Sequence, residues 1–235
     1  VGPTGSGKST IGKLVTRMYD TEQGSIELDD VPLADWQLNA LRSSVGVVAQ
    51  DVVLFAGTVR DNVTLGRPDL RERDVLTAVH DACLAKRIER LGGLEAQLSE
   101  RGANLSAGER QLLSIARVLV RNPPVCILDE ATASIDSITE RDVQRAIERM
   151  FEGRTVLVVA HRLSTIRHAD RIVVLDKGRI VQQGKHEVLM AEGGLYAHLV
   201  ETALARTEEL SSADATDNDE SLNNTGFLNN EELIA

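Results

Sequence analysis

Gly2-Pro3-Thr4-Gly5-Ser6-Gly7-Lys8-Ser9 fits the pattern Gly-x-x-x-x-Gly-Lys-Ser/Thr. Glycines in such a loop let consecutive backbone N–H groups turn inward around a phosphate chain. A helix directly behind the loop points its positive end at the same place. In this pattern Lys8 bridges the β- and γ-phosphates of a nucleotide, and the Ser9 hydroxyl, with Thr10 beside it, meets the phosphate-bound Mg²⁺. The plainer alternative is a glycine-rich turn that merely starts a helix. Ile11, Leu14, Val15 and Met18 recur at helical spacing, so a helix is expected from Ser9 to about Tyr19, and this favours the phosphate reading.

Outward from the loop, short apolar runs alternate with amphipathic stretches, which predicts an α/β fold with a mainly parallel sheet. Strands are expected at Val45–Ala49, Val125–Leu128, Val156–Ala160 and Ile172–Leu175. Asp176-Lys177-Gly178 turns the last of these into Ile180–Gln183 as a hairpin would. Residues 58 to about 121 read as mostly helical, with Val75/Val79 and Leu112/Ala116/Leu119 as apolar faces, and Pro123-Pro124 ends that block. Further helices are expected over 137–151 and about 193–205, and no internal repeat is present.

Two more segments carry chemistry. Val125-Cys126-Ile127-Leu128 runs into Asp129 and Glu130. Strands of a parallel sheet deliver their C-terminal ends to the ligand crevice. There Asp129 would face Mg²⁺ and Glu130 would contact the water that attacks the γ-phosphate. A surface acid pair capping the next helix is the alternative. Leu105-Ser106-Ala107-Gly108-Glu109-Arg110-Gln111 opens a long helix. Ser106 and Glu109 make a Ser-x-x-Glu capping box, which needs no ligand. A capped helix start with a free hydroxyl beside a glycine is also a phosphate receptor. The local pattern does not choose between the two.

Composition narrows the classes. The 235 residues hold 26 Lys+Arg against 36 Asp+Glu, a net charge of −10, so a nucleic-acid backbone is an unsuitable partner. Aromatics are 3%, too few for base-stacking platforms. Cys83 and Cys126 make no disulfide framework, which suits a reducing compartment. No apolar run has membrane-helix length. Residues 206–235 carry eight acids and one base and read as an acidic disordered tail. Asn62-Val63-Thr64 and Asn223-Asn224-Thr225 match a glycosylation pattern and are taken as chance matches.

In this order the motifs resemble the nucleotide-binding domain of ABC transporters over about residues 1–205. Gly2–Ser9 is similar to their Walker A loop, and Gln50 after Val47-Val48-Ala49 to their Q-loop. Leu105–Gln111 is similar to the signature, as an Ala-Gly-Glu variant of the commoner Gly-Gly-Gln. Val125–Glu130 resembles Walker B, Ser134-Ile135-Asp136 the D-loop and His161 the switch histidine. Phe55-Ala56-Gly57-Thr58-Val59-Arg60-Asp61-Asn62 and Ser99-Glu100-Arg101-Gly102 resemble the exporter branch.

The resemblance implies a P-loop NTPase core with an inserted α-helical subdomain at about 53–121. It implies ATP and Mg²⁺ as ligands, with Gly2, Pro3, Thr4, Gly5, Ser6, Gly7, Lys8, Ser9 and Thr10 on the nucleotide. Ser9, Gln50 and Asp129 would hold the metal, and Glu130, His161 and Gln50 would serve hydrolysis. Ser106 and Gly108 would close over the ATP of a second nucleotide-binding domain. The expected partner is a transmembrane domain of an exporter in the same polypeptide, met by the segment after Gln50, on the cytoplasmic face of a membrane. A soluble ABC ATPase, an importer ATPase subunit and a non-hydrolysing sensor are the rival readings. The family's adenine-stacking aromatic lies upstream of Walker A, so Tyr19 and Trp36 are not cast in that role. The chain reads as a fragment lacking the strand that feeds the phosphate loop, and an open sheet edge is expected.

Overall fold

The computed structural model describes residues 1–129, 137–159 and 166–205. The glycine loop leads into α1 (Lys8–Val15). Then come the short strands β1 (Glu27–Leu28) and β2 (Val31–Pro32), helix α2 (Leu38–Ser44) and strand β3 (Val45–Val48). A mostly helical stretch follows: β4 (Gly57–Thr58), α3 (Val59–Thr64), α4 (Glu72–Asp81), α5 (Ala85–Leu91), β5 (Gln97–Leu98) and α6 (Ala107–Leu119). The remainder is β6 (Val125–Asp129), α7 (Ser137–Phe151), β7 (Thr155–Val159), β8 (Ile172–Asp176), β9 (Arg179–Gly184), α8 (His186–Glu192) and a closing helix over 195–205.

The central sheet has the order β3-β6-β7, and both pairings are parallel. Parallel strands buried on both faces read as continuous apolar runs, as these do. In β3 the run is broken by Gly46, where a Cβ would sit 2.7 Å from both Pro123 Cγ and Val118 Cγ1. The strand can pass under the end of α6 only without a side chain there. The other described strand pairs, β1-β2, β4-β5 and β8-β9, are antiparallel. The β8-β9 pair is the hairpin read from Asp176-Lys177-Gly178.

α1 stops earlier than its periodicity suggests. The Met18 N–H bonds to Lys13 O and the Arg17 N–H to Leu14 O, with Arg17 left-handed at φ 49°. This is a Schellman ending built on an arginine instead of the usual glycine. The Arg17 guanidinium anchors it on the carbonyls of Leu33, Ala34 and Trp36. Met18 is therefore exposed rather than core-facing.

One core cluster joins Val48 and Leu128 of the sheet, Val143 and Ile147 of α7, Leu112, Leu113 and Ile115 of α6, and Val75 and Val79 of α4. The residues of 58–121 thus pack against the same interior as the sheet. A second cluster, around Ile172, Val174, Leu189 and Tyr196, lies under β8. Between β7 and β8 runs an apolar groove of about 320 Å³, lined by Val156, Val158, Ile172 and Leu175 among others. Val1 closes it: its N–H group bonds to Val173 O at 2.8 Å and its carbonyl accepts from Leu175 N at 2.9 Å. That is the bond pattern of a parallel strand beside β8.

Candidate functional site

The phosphate-type loop is closed on itself. The Ser6 N–H bonds to Pro3 O at 3.2 Å, and the Gly178 N–H from the β8-β9 turn bonds to Ser6 O at 3.1 Å. Gly2, Gly5 and Gly7 have φ of 149°, 80° and 101°, values that side-chain-bearing residues rarely adopt. A Cβ on Gly2 would run into Leu175 O. Gly7 gives the helix no side-chain cap, and the first turn of α1 carries no acid. The amides at this end therefore keep their positive field for an outside anion.

Lys8 is buried, and its Nζ donates to Gly2 O at 2.7 Å and Pro3 O at 2.8 Å. Desolvation pushes its ammonium below the usual lysine range, while the charge of Asp129 pulls the other way. The charge of Asp129 at the end of β6 thus acts on Lys8, although the two lie on different elements. Ser6 Oγ is buried with no hydrogen-bond partner. An orphaned hydroxyl, a lysine and unpaired amides around one glycine loop are what an anionic oxygen would satisfy.

Asp129 is the last residue of β6 and pairs in register with Val159, the last residue of β7. Gln50 follows β3, the other neighbour of β6. Gln50 and Asp129 line one cavity of about 250 Å³, together with Ala107, Arg110 and Gln111 from the start of α6. Ser9 and Thr10 are exposed in the first turn of α1. The hydroxyl of Ser9, the carboxylate of Asp129 and the amide oxygen of Gln50 are hard oxygen donors, the type Mg²⁺ takes alongside phosphates and water. The residues present fit both groups.

Glu130, Ser134-Ile135-Asp136 and His161 lie outside the described residues. Ser106 is the N-cap of α6, exposed, and the capping box is formed. Its N–H donates to Glu109 Oε2 at 2.8 Å, and its Oγ accepts from Glu109 N at 3.2 Å. Gly108 is buried in the first turn. The hydrogen bonds of Ser106 stay within this cap, so the described contacts do not tie it to the glycine loop of its own chain. Arg110 and Gln111, the last residues of the signature-like run, line this cavity with Gln50, a neighbourhood the sequence does not show. Only the tertiary approach of α6 to the ends of β3 and β6 places them there.

Comparison with known proteins is consistent with this arrangement. The family model described as ABC transporter matches residues 1–133. The uncharacterized ABC transporter ATP-binding protein YknV of Bacillus subtilis (strain 168) is 48% identical over 201 residues, covering 85% of this chain and 33% of that protein. An ATP-dependent lipid A-core flippase of Burkholderia orbicola (strain AU 1054) is 50% identical over 199 residues, 84% of this chain and 33% of that protein. A solved bacterial Atm1-family ABC exporter with ATP bound superposes with a TM-score of 0.79 at 42% identity, covering 86% of this chain and 35% of that one. The chain thus spans about a third of the length of the relatives it matches. With an α/β P-loop NTPase core and the family match over more than half its residues, the chain belongs to the ABC transporter family.

Proposed function

We propose that this chain binds ATP with Mg²⁺ and hydrolyses it as the nucleotide-binding part of an ABC exporter. The observation that carries the reading is the glycine loop itself, closed by the Ser6 N–H on Pro3 O, with the buried Lys8 held on Gly2 O and Pro3 O and the Ser6 hydroxyl left without a partner. In-line phosphoryl transfer needs mostly positioning and charge neutralisation. The loop amides receive the phosphates, and Lys8 exchanges Gly2 O and Pro3 O for their anionic oxygens. Ser9, Gln50 and Asp129 would hold Mg²⁺, which when bound neutralises charge on the phosphates. Glu130, next after Asp129, orients the attacking water and accepts its proton, and His161 contacts the γ-phosphate. Both roles rest on motif order.

Two such domains would pair, Ser106 and Gly108 of each closing over the ATP of the other. ATP favours the closed pair because its γ-phosphate, which ADP lacks, gives the facing helix something to bind. Hydrolysis removes that contact, and the pair opens. The matched stretch is about a third of each relative's length, which leaves room for a transmembrane domain in the same polypeptide, and the use of ATP would put this domain on the cytoplasmic face of the membrane. No described helix is long and apolar enough to cross a membrane. The loop after Gln50 exposes Val53 and Phe55, an apolar surface suited to that contact. Residues 1–205 would form the ATP-binding unit, with the helical subdomain at about 53–121 and 206–235 as an acidic tail.

The test uses the complete polypeptide. Glu130→Gln is expected to keep MgATP binding and lose turnover, and Lys8→Ala to lose binding. Undiminished steady-state ATPase in Glu130→Gln would remove Glu130 from its role. Unchanged ATP affinity in Lys8→Ala would overturn the site.

A further inference from the structure

The cap of α6 carries a carboxylate where the phosphate-facing role calls for positive potential. An acid in the first turn stabilises the helix itself, but it also cancels the field that a helix start presents to an outside anion. Glu109 uses Oε2 to accept the Ser106 N–H at 2.8 Å. Its other oxygen, Oε1, lies 2.8 Å from Nε of Arg87, on the neighbouring helix α5. Both side chains are largely covered, at 33% exposure for Arg87 and 21% for Glu109. The Arg87 Nε–H is not aimed along the contact, so the pair is held by charge rather than by a linear hydrogen bond. Arg87 Nη2 donates separately to Asn104 O at 2.9 Å, two residues before the cap.

A glutamine at position 109 could form the same capping box without any charge. The arginine is therefore not needed by the cap itself. Besides its bond to Asn104 O, what it adds at this helix start is the neutralisation of the Glu109 charge.

We propose that Arg87 is a positioning residue for the nucleotide of the paired domain: it neutralises Glu109, so that the Ser106 end of α6 remains attractive to a triphosphate although its cap contains a carboxylate. The inference rests on the proposed function and adds a residue to it. A purely structural Arg87 would do no more than hold α5 to the Asn104 carbonyl.

The experiment compares the complete polypeptide with its Arg87→Ala, Glu109→Gln and Arg87→Ala/Glu109→Gln variants, using MgATP as the probe. ATPase kinetics and MgATP-dependent pairing are both measured. Arg87→Ala leaves Glu109 uncompensated and is expected to raise KM for MgATP and the ATP needed for pairing roughly fivefold. Removing the carboxylate as well restores both to within about twofold of Glu109→Gln alone, a non-additivity that marks direct coupling. Loss of the Asn104 contact is not repaired by Glu109→Gln. A double variant as impaired as Arg87→Ala therefore overturns the proposal, as does an Arg87→Ala variant with wild-type KM. A wild-type polypeptide without ATPase activity would instead strike the proposed function and this inference with it. An active wild type indifferent to Arg87 strikes the inference alone.

Discussion

Replacing Asn62 by alanine removes the side chain that shapes the loop behind Gln50. Asn62 is 0% exposed. Its Oδ1 accepts from Phe55 N at 2.9 Å and from Arg117 Nη2 at 3.0 Å. Its Nδ2 donates to Phe55 O at 2.8 Å and Thr58 O at 3.1 Å. Arg117 also reaches Asn62 O and Val53 O, both at 2.6 Å. A neutral hydrogen bond contributes about 1 kcal/mol net and a charged one about 2 kcal/mol. The neutral bonds and the one from Arg117 would sum to about 5 kcal/mol. Phe55 is itself exposed, so water can reach part of what is orphaned. That leaves about 2–4 kcal/mol for Asn62→Ala, near the upper end for single substitutions. For a chain of this size the fall in Tm is about 5–12 °C. Thermal melting measures the global effect, and limited proteolysis at residues 51–58 reads the local release of the loop. Asn62→Asp keeps the acceptor for Arg117 but loses the donations to two carbonyls, so it should fall between alanine and the parent. A melting temperature for Asn62→Ala within about 1 °C of the parent would refute the reasoning. The same burial explains why Asn62-Val63-Thr64 is a glycosylation pattern without an accessible acceptor.

Two further substitutions probe the loop and the core. Gly2→Ala forces an L side chain to φ 149° and drives its Cβ into Leu175 O, so it should distort the phosphate loop at a cost of about 2 kcal/mol or more. Titration calorimetry with MgATP should show weakened binding, and wild-type affinity would contradict the loop geometry. Leu113→Ala removes a side chain that is 1% exposed in the main cluster and should destabilise by about 2–5 kcal/mol. A lowered urea midpoint with an unchanged slope would bear this out, and an unchanged midpoint would count against the packing.

The sequence by itself determined the parts that depend on local chemistry. The glycine loop with Lys8 and Ser9, the apolar strand ending at Asp129 and the Ser106 cap are recognisable because each is a short pattern whose residue types answer to one constraint: positive φ, burial on both faces, or an orphaned N–H. The parallel strands also read correctly to within a residue, since uninterrupted apolar runs between helices have few other uses. Their order, β3-β6-β7, did not follow, because the partners are far apart in the chain and only the packed sheet selects them. The end of α1 was misplaced for a related reason. Arg17 in the left-handed region is unfavourable alone and holds only because Leu33, Ala34 and Trp36 offer their carbonyls. The joining of Gln50 to Asp129 across one cavity, the pull of the Asp129 charge on Lys8, and the Arg87–Glu109 pair were likewise decided by tertiary structure. A charge interacts with whatever lies within a few ångströms, and sequence distance carries almost no information about that.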